Sequence, residues 1–297
     1  MIIKDEVRAG LESRQPIVAL ESTVIAHGLP RPINLETARR LEQIVREGAC
    51  VPATIAMLAG ELRVGLETND LELLAQSSDI KKLSVRDLAI GVARKWNGAT
   101  TVASTMWIAH RAGIKVFATG GIGGVHRGSL PDVSADLPQL AQIPMIVVCS
   151  GAKIVLDLPA TREWLETNSI TVVGYQCDEM PAFYSRSSGL PIDVRCDTPE
   201  EVAHLFATQR HLDMGSALLV TVPVPSEAEV EQSFLNRVLE EALGQAEREK
   251  ISGRELTPFL LAQMSQRSDG ATLRANIALL KNNARVAAQI ANELSQA

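Results

Sequence analysis

Short runs of aliphatic and β-branched residues alternate with amphipathic stretches over the first two-thirds of the chain, the pattern of an α/β protein. Pro16 to Leu20 reads as a strand ending on Glu21-Ser22-Thr23. Asn34 caps a helix to about Gly48, with Leu35, Ala38, Leu41, Ile44 and Val45 at helical spacing. Strands over Ala53–Met57 and Leu62–Leu66 follow, joined by Ala59-Gly60-Glu61. Ser84-Val85-Arg86-Asp87 is a capping box that opens a helix to about Trp96. Val102–Ala112 is a further helix, and Lys115–Thr119 a strand that runs into the glycine-rich segment 120–128. Met145–Cys149 reads as a buried strand, after which Ser150-Gly151-Ala152-Lys153 starts the next helix. Strands at Ile170–Gly174 and Ala217–Val222 bring the sheet to seven or more. From Ser226 onward the pattern is helical, over roughly 226–249, 256–267 and 272–295. Each of these helices has one apolar face, which predicts packing on the sheet or on another subunit. With no repeat, low-complexity tract or linker, the chain reads as one domain over 1–297, its strand-bearing core at about 16–225 and its helical part at about 226–297.

Composition narrows the function. Of 297 residues, 46% are hydrophobic and only 3% aromatic, which excludes a disordered or collagen-like chain and weakens any case for stacking on nucleic-acid bases. Lys and Arg number 29 against 35 Asp and Glu, a net charge of −6, so a basic footprint for nucleic acid or membrane is absent. Charges in Met1-Ile2-Ile3-Lys4-Asp5-Glu6 sit where a signal peptide needs an apolar run, and no stretch approaches the roughly 18 apolar residues of a membrane span. Cys50, Cys149, Cys177 and Cys196 are scattered without a C-x-x-C pair, so free thiols and a cytoplasmic location are expected. The histidines show no zinc spacing, which leaves hard oxygen ligands as the expected donors if a metal binds.

Several constellations carry chemistry. In Gly120-Gly121-Ile122-Gly123-Gly124-Val125-His126-Arg127-Gly128, His126 stands where a dinucleotide fingerprint wants its third glycine, so neither nicotinamide nor flavin is expected. The segment is then either a tight loop or a backbone cradle for an anion, and His126-Arg127 favours the anion. Lys153, placed in the first turn of a predicted helix among small and apolar neighbours, is either a Schiff-base lysine, its ammonium disfavoured by dipole and burial, or an anion clamp or snorkelling side chain. Glu21, at a strand's C-terminal end, is either a general acid facing the ligand crevice or an exposed loop glutamate. Asp132 and Asp136, four apart at a predicted helix start, suit a hard cation such as Mg²⁺ or Mn²⁺, or else cap the helix. Lys81-Lys82 and Asn97-Gly98-Ala99-Thr100-Thr101, before predicted helices, are candidate phosphate contacts. Asn276 and Asn283 share one face of an apolar helix, as packed hydrogen-bonding residues or as substrate readers.

These residues also carry a resemblance. The run Ala19-Leu20-Glu21-Ser22-Thr23-Val24-Ile25-Ala26-His27-Gly28-Leu29-Pro30, Gly-Ala-Thr-Thr-Val at 98–102 and Ala-Thr-Gly-Gly-Ile-Gly-Gly-Val-His-Arg-Gly at 118–128 are similar to the pseudouridine-5′-phosphate glycosidase family, also called indigoidine synthase A-like. Asp-Val-Ser-Ala-Asp-Leu at 132–137, Ser-Gly-Ala-Lys at 150–153, Thr257-Pro258-Phe259-Leu260-Leu261 and Asn276-Ile277 follow in the family's order, so the likeness runs from about residue 16 to the C-terminus. One departure is the short Arg-Gly-Ser-Leu-Pro segment between His126 and Asp132, where the family has a longer stretch with Thr-Phe before the aspartate. The resemblance implies a three-layer α/β/α fold with a central mixed, largely parallel sheet, a homotrimer, and one divalent cation per subunit, usually Mn²⁺. It further implies reversible cleavage of the C–C glycosidic bond of pseudouridine 5′-phosphate to uracil and ribose 5-phosphate. By motif, Lys153 is the nucleophile that forms the ribose–lysine imine, Glu21 the proton donor and Asp132 the metal ligand. Lys82, Val102 through its backbone, Ser134, Ala135 and Asp136 match substrate-binding positions, and His126 and Asn276 match active-site ones. The alternatives are an aldolase-type Schiff-base lyase on another sugar phosphate, and a non-catalytic nucleotide-binding or pigment-pathway partner protein.

Overall fold

The structure is a computed structural model and describes residues 1–128, 132–251 and 256–296. Its strands are β1 (Ile2–Ile3), β2 (Ile17–Leu20), β3 (Val51–Leu58), β4 (Glu61–Val64), β5 (Lys81–Leu83) and β6 (Gly98–Thr100). They continue with β7 (Val116–Ala118), β8 (Ile146–Cys149), β9 (Thr171–Tyr175), β10 (Val194–Cys196) and β11 (Leu218–Thr221). The helices are α1 (Asp5–Glu12), α2 (Ile33–Glu47), α3 (Thr68–Gln76), α4 (Val85–Arg94), α5 (Val102–Arg111) and α6 (Asp136–Gln142). After them come α7 (Leu158–Thr167), α8 (Pro199–His211), α9 (Gln232–Arg248), α10 (Leu256–Arg267) and α11 (Ala271–Gln296).

One sheet takes the order β1-β4-β3-β2-β7-β8-β11-β9-β10, with β6 paired to β3 and β5 to β6. All pairings are parallel except β3–β4 and β3–β6, so the sheet is mixed and largely parallel. Every residue of β2, β7, β8 and β11 is buried. A strand buried at odd and even positions alike is covered on both faces, which makes the architecture three-layered α/β/α. Of the C-terminal helices, α11 lays its apolar stripe across β2, β7 and β8, as expected, and α10 packs on α9 and α11; α5 packs on β2 and β3. No helix among the described residues is long and apolar enough to cross a membrane.

Four predicted details are corrected. Ser150–Lys153 does not open a helix: α7 starts at Leu158, capped by Asp157, whose carboxylate accepts from the Ala160 amide at 3.0 Å. Gly151 instead sits at φ +80°, and an added Cβ there would collide with the carbonyl oxygen of Pro181. Asn34 lies inside α2 rather than capping it, and its amide donates to the carbonyls of Ile25 and Ala75 at 2.8 and 3.0 Å. Asp132 precedes α6, so it shares no helix face with Asp136. Lys81-Lys82 and Gly98–Thr100 form strands β5 and β6, whose three residues are too short to show a period.

Candidate functional site

Three neighbouring parallel strands end at one edge of the sheet. Register places Leu20 of β2 beside Ala118 of β7, and Ala118 beside Val148 of β8. The residues that follow, Glu21, Thr119 to Gly121, and Ser150 to Lys153, therefore emerge together at the C-terminal edge, where open α/β sheets bind ligands. Ser22 and Thr23 bring in the antiparallel end of the sheet. The Thr100 amide donates to Ser22 Oγ at 2.8 Å, and Thr23 Oγ1 donates to the Thr100 carbonyl at 2.7 Å. This ties Glu21 to β6, hence to Lys82, which sits opposite Ala99 on β5.

A cavity of about 560 Å³ opens here, of a size that encloses a small ligand. Glu21, Lys153, Lys82 and Val102 line it, as do His126, Asp132, Ser134, Ala135, Asp136 and Asn276. Every residue to which the resemblance gives a site role thus faces one space, though they derive from seven separate stretches of chain.

Glu21 is 8% exposed, and its Oε1 accepts a hydrogen bond from the Thr119 hydroxyl. Burial pushes its carboxyl above the usual carboxylate range, opposed by the nearby Lys153 charge and the Thr119 hydrogen bond. Asp136 adds to the rise and Lys82 opposes it, so these four charged groups share one electrostatic environment. Asp136 does not cap its own helix: its Oδ1 accepts from the Ala103 amide of α5 at 2.9 Å and its Oδ2 from the Gly123 amide at 2.8 Å. It locks the glycine segment onto α5. Val102, the first residue of α5, reaches the cavity with a first-turn amide that has no partner within the helix.

Part of the glycine segment's backbone is already engaged within the protein, while Gly120 and Gly121 line the cavity. The amides of Ile122, Gly123, Val125 and His126 already donate to Gly151 O, Asp136 Oδ2, Thr161 Oγ1 and Asp132 O. Its glycines serve close packing: a Cβ on Gly123 would overlap Ser134 Oγ and lie 2.7 Å from Asp136 Oδ2. Gly123→Ala is expected to lose about 1–3 kcal/mol of stability in urea unfolding, the usual cost of forcing a methyl group into a filled space. The N-termini of α4 and α5, whose first-turn amides can receive an anion, face the same cavity: Ser84, Arg86 and Thr101 line it with Lys82.

The two asparagines part company. Asn276 faces the cavity, whereas Asn283 is wholly buried and donates to the Thr119 carbonyl at 2.9 Å and to Ser150 Oγ at 3.1 Å. His27, Arg86 and Phe183 also line the cavity without having been assigned roles. Burial, together with the Lys82 charge, lowers the proton affinity of His27, whose Nε2 has no hydrogen-bond partner among the described residues. His27 lay within the motif at 19–30 and Arg86 within the capping box. Phe183, at φ +64°, gave no sequence signal. The four cysteines are free, and burial pushes Cys149 to about 12, so it offers no rival nucleophile.

No group of three or more His, Cys, Asp or Glu side chains suited to a metal occurs among the described residues. A closed protein cage is therefore absent among them. Asp132 is exposed, lines the cavity and has no side-chain hydrogen bond or ion pair with the described residues. A carboxylate unpaired among the described residues, at the wall of a cavity, fits a hard cation that keeps most of its waters. Of the short segment before it, residues 129–131 lie outside the described residues.

Residues 6–293 match the family described as indigoidine synthase A like protein. A relative from Caldanaerobacter subterraneus subsp. tengcongensis named pseudouridine-5′-phosphate glycosidase is 48% identical, over 99% of this chain and 96% of its own length. One of the same name from Methylobacterium nodulans is 50% identical, over 96% of this chain and 86% of its own. Among solved structures, the prealnumycin C-glycosynthase AlnA in complex with ribulose 5-phosphate superposes with a TM-score of 0.91 at 38% identity, covering 99% of this chain and 96% of that one. An indigoidine synthase A-like protein from Thermotoga maritima superposes with a TM-score of 0.90 at 36% identity, covering 99% and 97%. With a matching fold and a likeness over nearly its full length, the chain belongs to the indigoidine synthase A-like family.

Proposed function

We propose that this chain is a pseudouridine-5′-phosphate glycosidase, an enzyme that reversibly cleaves the C–C glycosidic bond of pseudouridine 5′-phosphate to uracil and ribose 5-phosphate. The observation that carries the reading is the meeting of Glu21 and Lys153, with Lys82 beside them, in one cavity at the sheet edge. The names of the relatives and the sugar phosphate held by the AlnA structure support it.

An ordinary glycosidase protonates an oxygen leaving group. Here the leaving atom is C5 of uracil, which has no lone pair to take a proton, so cleavage needs an electron sink at C1′. Glu21 gives its proton to the ring oxygen as the C1′–O4′ bond opens, and the Lys153 amine bonds to C1′ and sheds a proton. The nitrogen lone pair then forms C=N while the C1′–C5 bond breaks and C5 takes up a proton, releasing uracil. Water hydrolyses the imine, freeing ribose 5-phosphate and restoring Lys153. Lys82 and the first-turn amides of α4 and α5 hold the phosphate, so remote binding energy fixes C1′ against the amine. Ser134, Ala135 and Asp136 bind the sugar, while His126 and Asn276 face the same pocket.

Asp132 would hold one Mn²⁺ or a similar ion per subunit, which when bound supplies positive charge and ordered water at the pocket wall. Asp132→Asn is expected to weaken Mn²⁺ binding by at least tenfold in calorimetry on the protein without substrate; unchanged affinity would remove Asp132 as the ligand. A homotrimeric assembly and a cytoplasmic location belong to the same reading, and sedimentation velocity at micromolar chain concentration tests the trimer. The decisive assay is mass-spectrometric detection of uracil from pseudouridine 5′-phosphate with and without Mn²⁺. Absence of uracil under both conditions would end the proposal.

A further inference from the structure

The two carboxyl oxygens of Glu21 have different surroundings. Oε1 accepts from the Thr119 hydroxyl, whereas Oε2 makes no hydrogen bond among the described residues. Thr119 is 2% exposed and tightly held: its amide donates to the Val148 carbonyl at 2.9 Å and its own carbonyl accepts from Asn283 Nδ2 at 2.9 Å. Asn283 Nδ2 also reaches Ser150 Oγ at 3.1 Å, and Ser150 donates its amide to the Gly120 carbonyl at 2.9 Å. Two residues on, Ile122 donates to Gly151 O and accepts from the Lys153 amide, both at 3.1 Å. The segment that carries Thr119 is thus laced to the segment that carries Lys153, and a β-branched side chain on a fixed backbone has little rotamer freedom.

We propose that Thr119 is a positioning residue for the proton donor: its hydroxyl occupies Oε1, so that the acidic proton sits on Oε2 and is aimed at the sugar ring oxygen. This rests on the assignment of Glu21 as that donor. On transfer, the Oε2–H bond breaks, the proton joins the ring oxygen, and the carboxylate left behind keeps the Thr119 hydrogen bond. A donor bonded to the charged form favours it, so Thr119 also restrains the rise that burial imposes on Glu21. The other charges acting on this carboxyl, those of Lys153, Lys82 and Asp136, stay in place when Thr119 is changed.

The test compares Thr119→Val, Thr119→Ser and Glu21→Gln with the unaltered Mn²⁺-supplied protein, following uracil release against pH. Thr119→Val is expected to lower kcat about 30- to 100-fold with KM changed less than about threefold, the scale of a misaimed proton transfer. The alkaline limb of its kcat profile should move upward by about half a pH unit or more, since the carboxyl then holds its proton more tightly. Thr119→Ser, which keeps the hydroxyl, should restore kcat to within about fivefold and return the limb to its original place. An unchanged kcat and limb in Thr119→Val, with Glu21→Gln inactive, would overturn the positioning role alone. A loss in both Thr119 variants without movement of the limb would reduce Thr119 to packing and equally overturn it. An active Glu21→Gln would instead remove the donor assignment, and this proposal with it.

Discussion

Lys153→Arg is expected to abolish uracil release, by about 10⁴-fold or more in kcat, while the protein stays folded. Arginine keeps the positive charge and much of the stem but is never a free amine at accessible pH, so it cannot form the C1′ imine. Lys153 is half-buried at the cavity wall and in no ion pair among the described residues, so its replacement leaves the β8 edge intact. A charge-only role, as an anion clamp, predicts the opposite: arginine would retain most of the activity. Borohydride added with ribose 5-phosphate gives a second readout, because hydride reduces the imine to a stable secondary amine. One sugar phosphate per chain should then be found on Lys153 by peptide mass spectrometry. A label on another lysine, no label, or a turning-over arginine variant would each contradict the nucleophile. The rivals separate cleanly. An aldolase-type lyase would trap the sugar but consume no pseudouridine 5′-phosphate, and a binding protein would gain thermal stability with neither label nor product.

The residues that meet in the cavity were legible because strand ends are legible. An apolar run followed by Glu21, by Thr119-Gly120-Gly121 or by Ser150-Gly151 marks where a parallel strand stops, and in an open α/β sheet those stops share one edge. What escaped was decided by non-local contacts. Ser150-Gly151-Ala152-Lys153 has the look of a cap followed by helix formers, but the Pro181 carbonyl presses on Gly151 and turns the chain away. The true signal lay four residues later, in Asp157-Leu158-Pro159, a side-chain cap with proline inside the first turn. The basis for a dipole-tuned Lys153 goes with that helix; its place beside Glu21 does not. The engagement of the glycine segment escaped likewise, since the amides of Ile122, Gly123, Val125 and His126 are spent on acceptors such as Thr161 and Asp136 that no local pattern reveals. Asn276 and Asn283 lie two turns apart on one face of α11. Only the sheet edge beneath them decides that one meets the ligand space and the other pins two loops.

Glu21→Gln is expected to lower kcat by about 10²- to 10⁴-fold, the usual contribution of a positioned general acid, while still binding ribose 5-phosphate. It should also make the protein more stable at neutral pH, and the sign follows from the carboxyl's surroundings. Burial is the largest influence on Glu21 and raises its folded-state proton affinity above the unfolded one. Below the unfolded value the group is protonated in both states and costs nothing extra. As pH climbs through the folded value, the native protein must hold a buried carboxylate that the unfolded chain would solvate, and stability is lost. Glutamine accepts the same Thr119 hydrogen bond through its carbonyl oxygen and carries no charge at any pH. Its advantage in melting temperature should therefore be small near pH 5 and widen toward pH 8, reaching about 2 °C, equivalent to roughly 1 kcal/mol in a domain of this size. A gap that stays flat with pH, or a variant less stable at pH 8, would show that the carboxyl is not held against its desolvation cost. A carboxyl kept where it weakens the fold, in a cavity whose other groups grip a sugar phosphate, is kept for the proton it transfers.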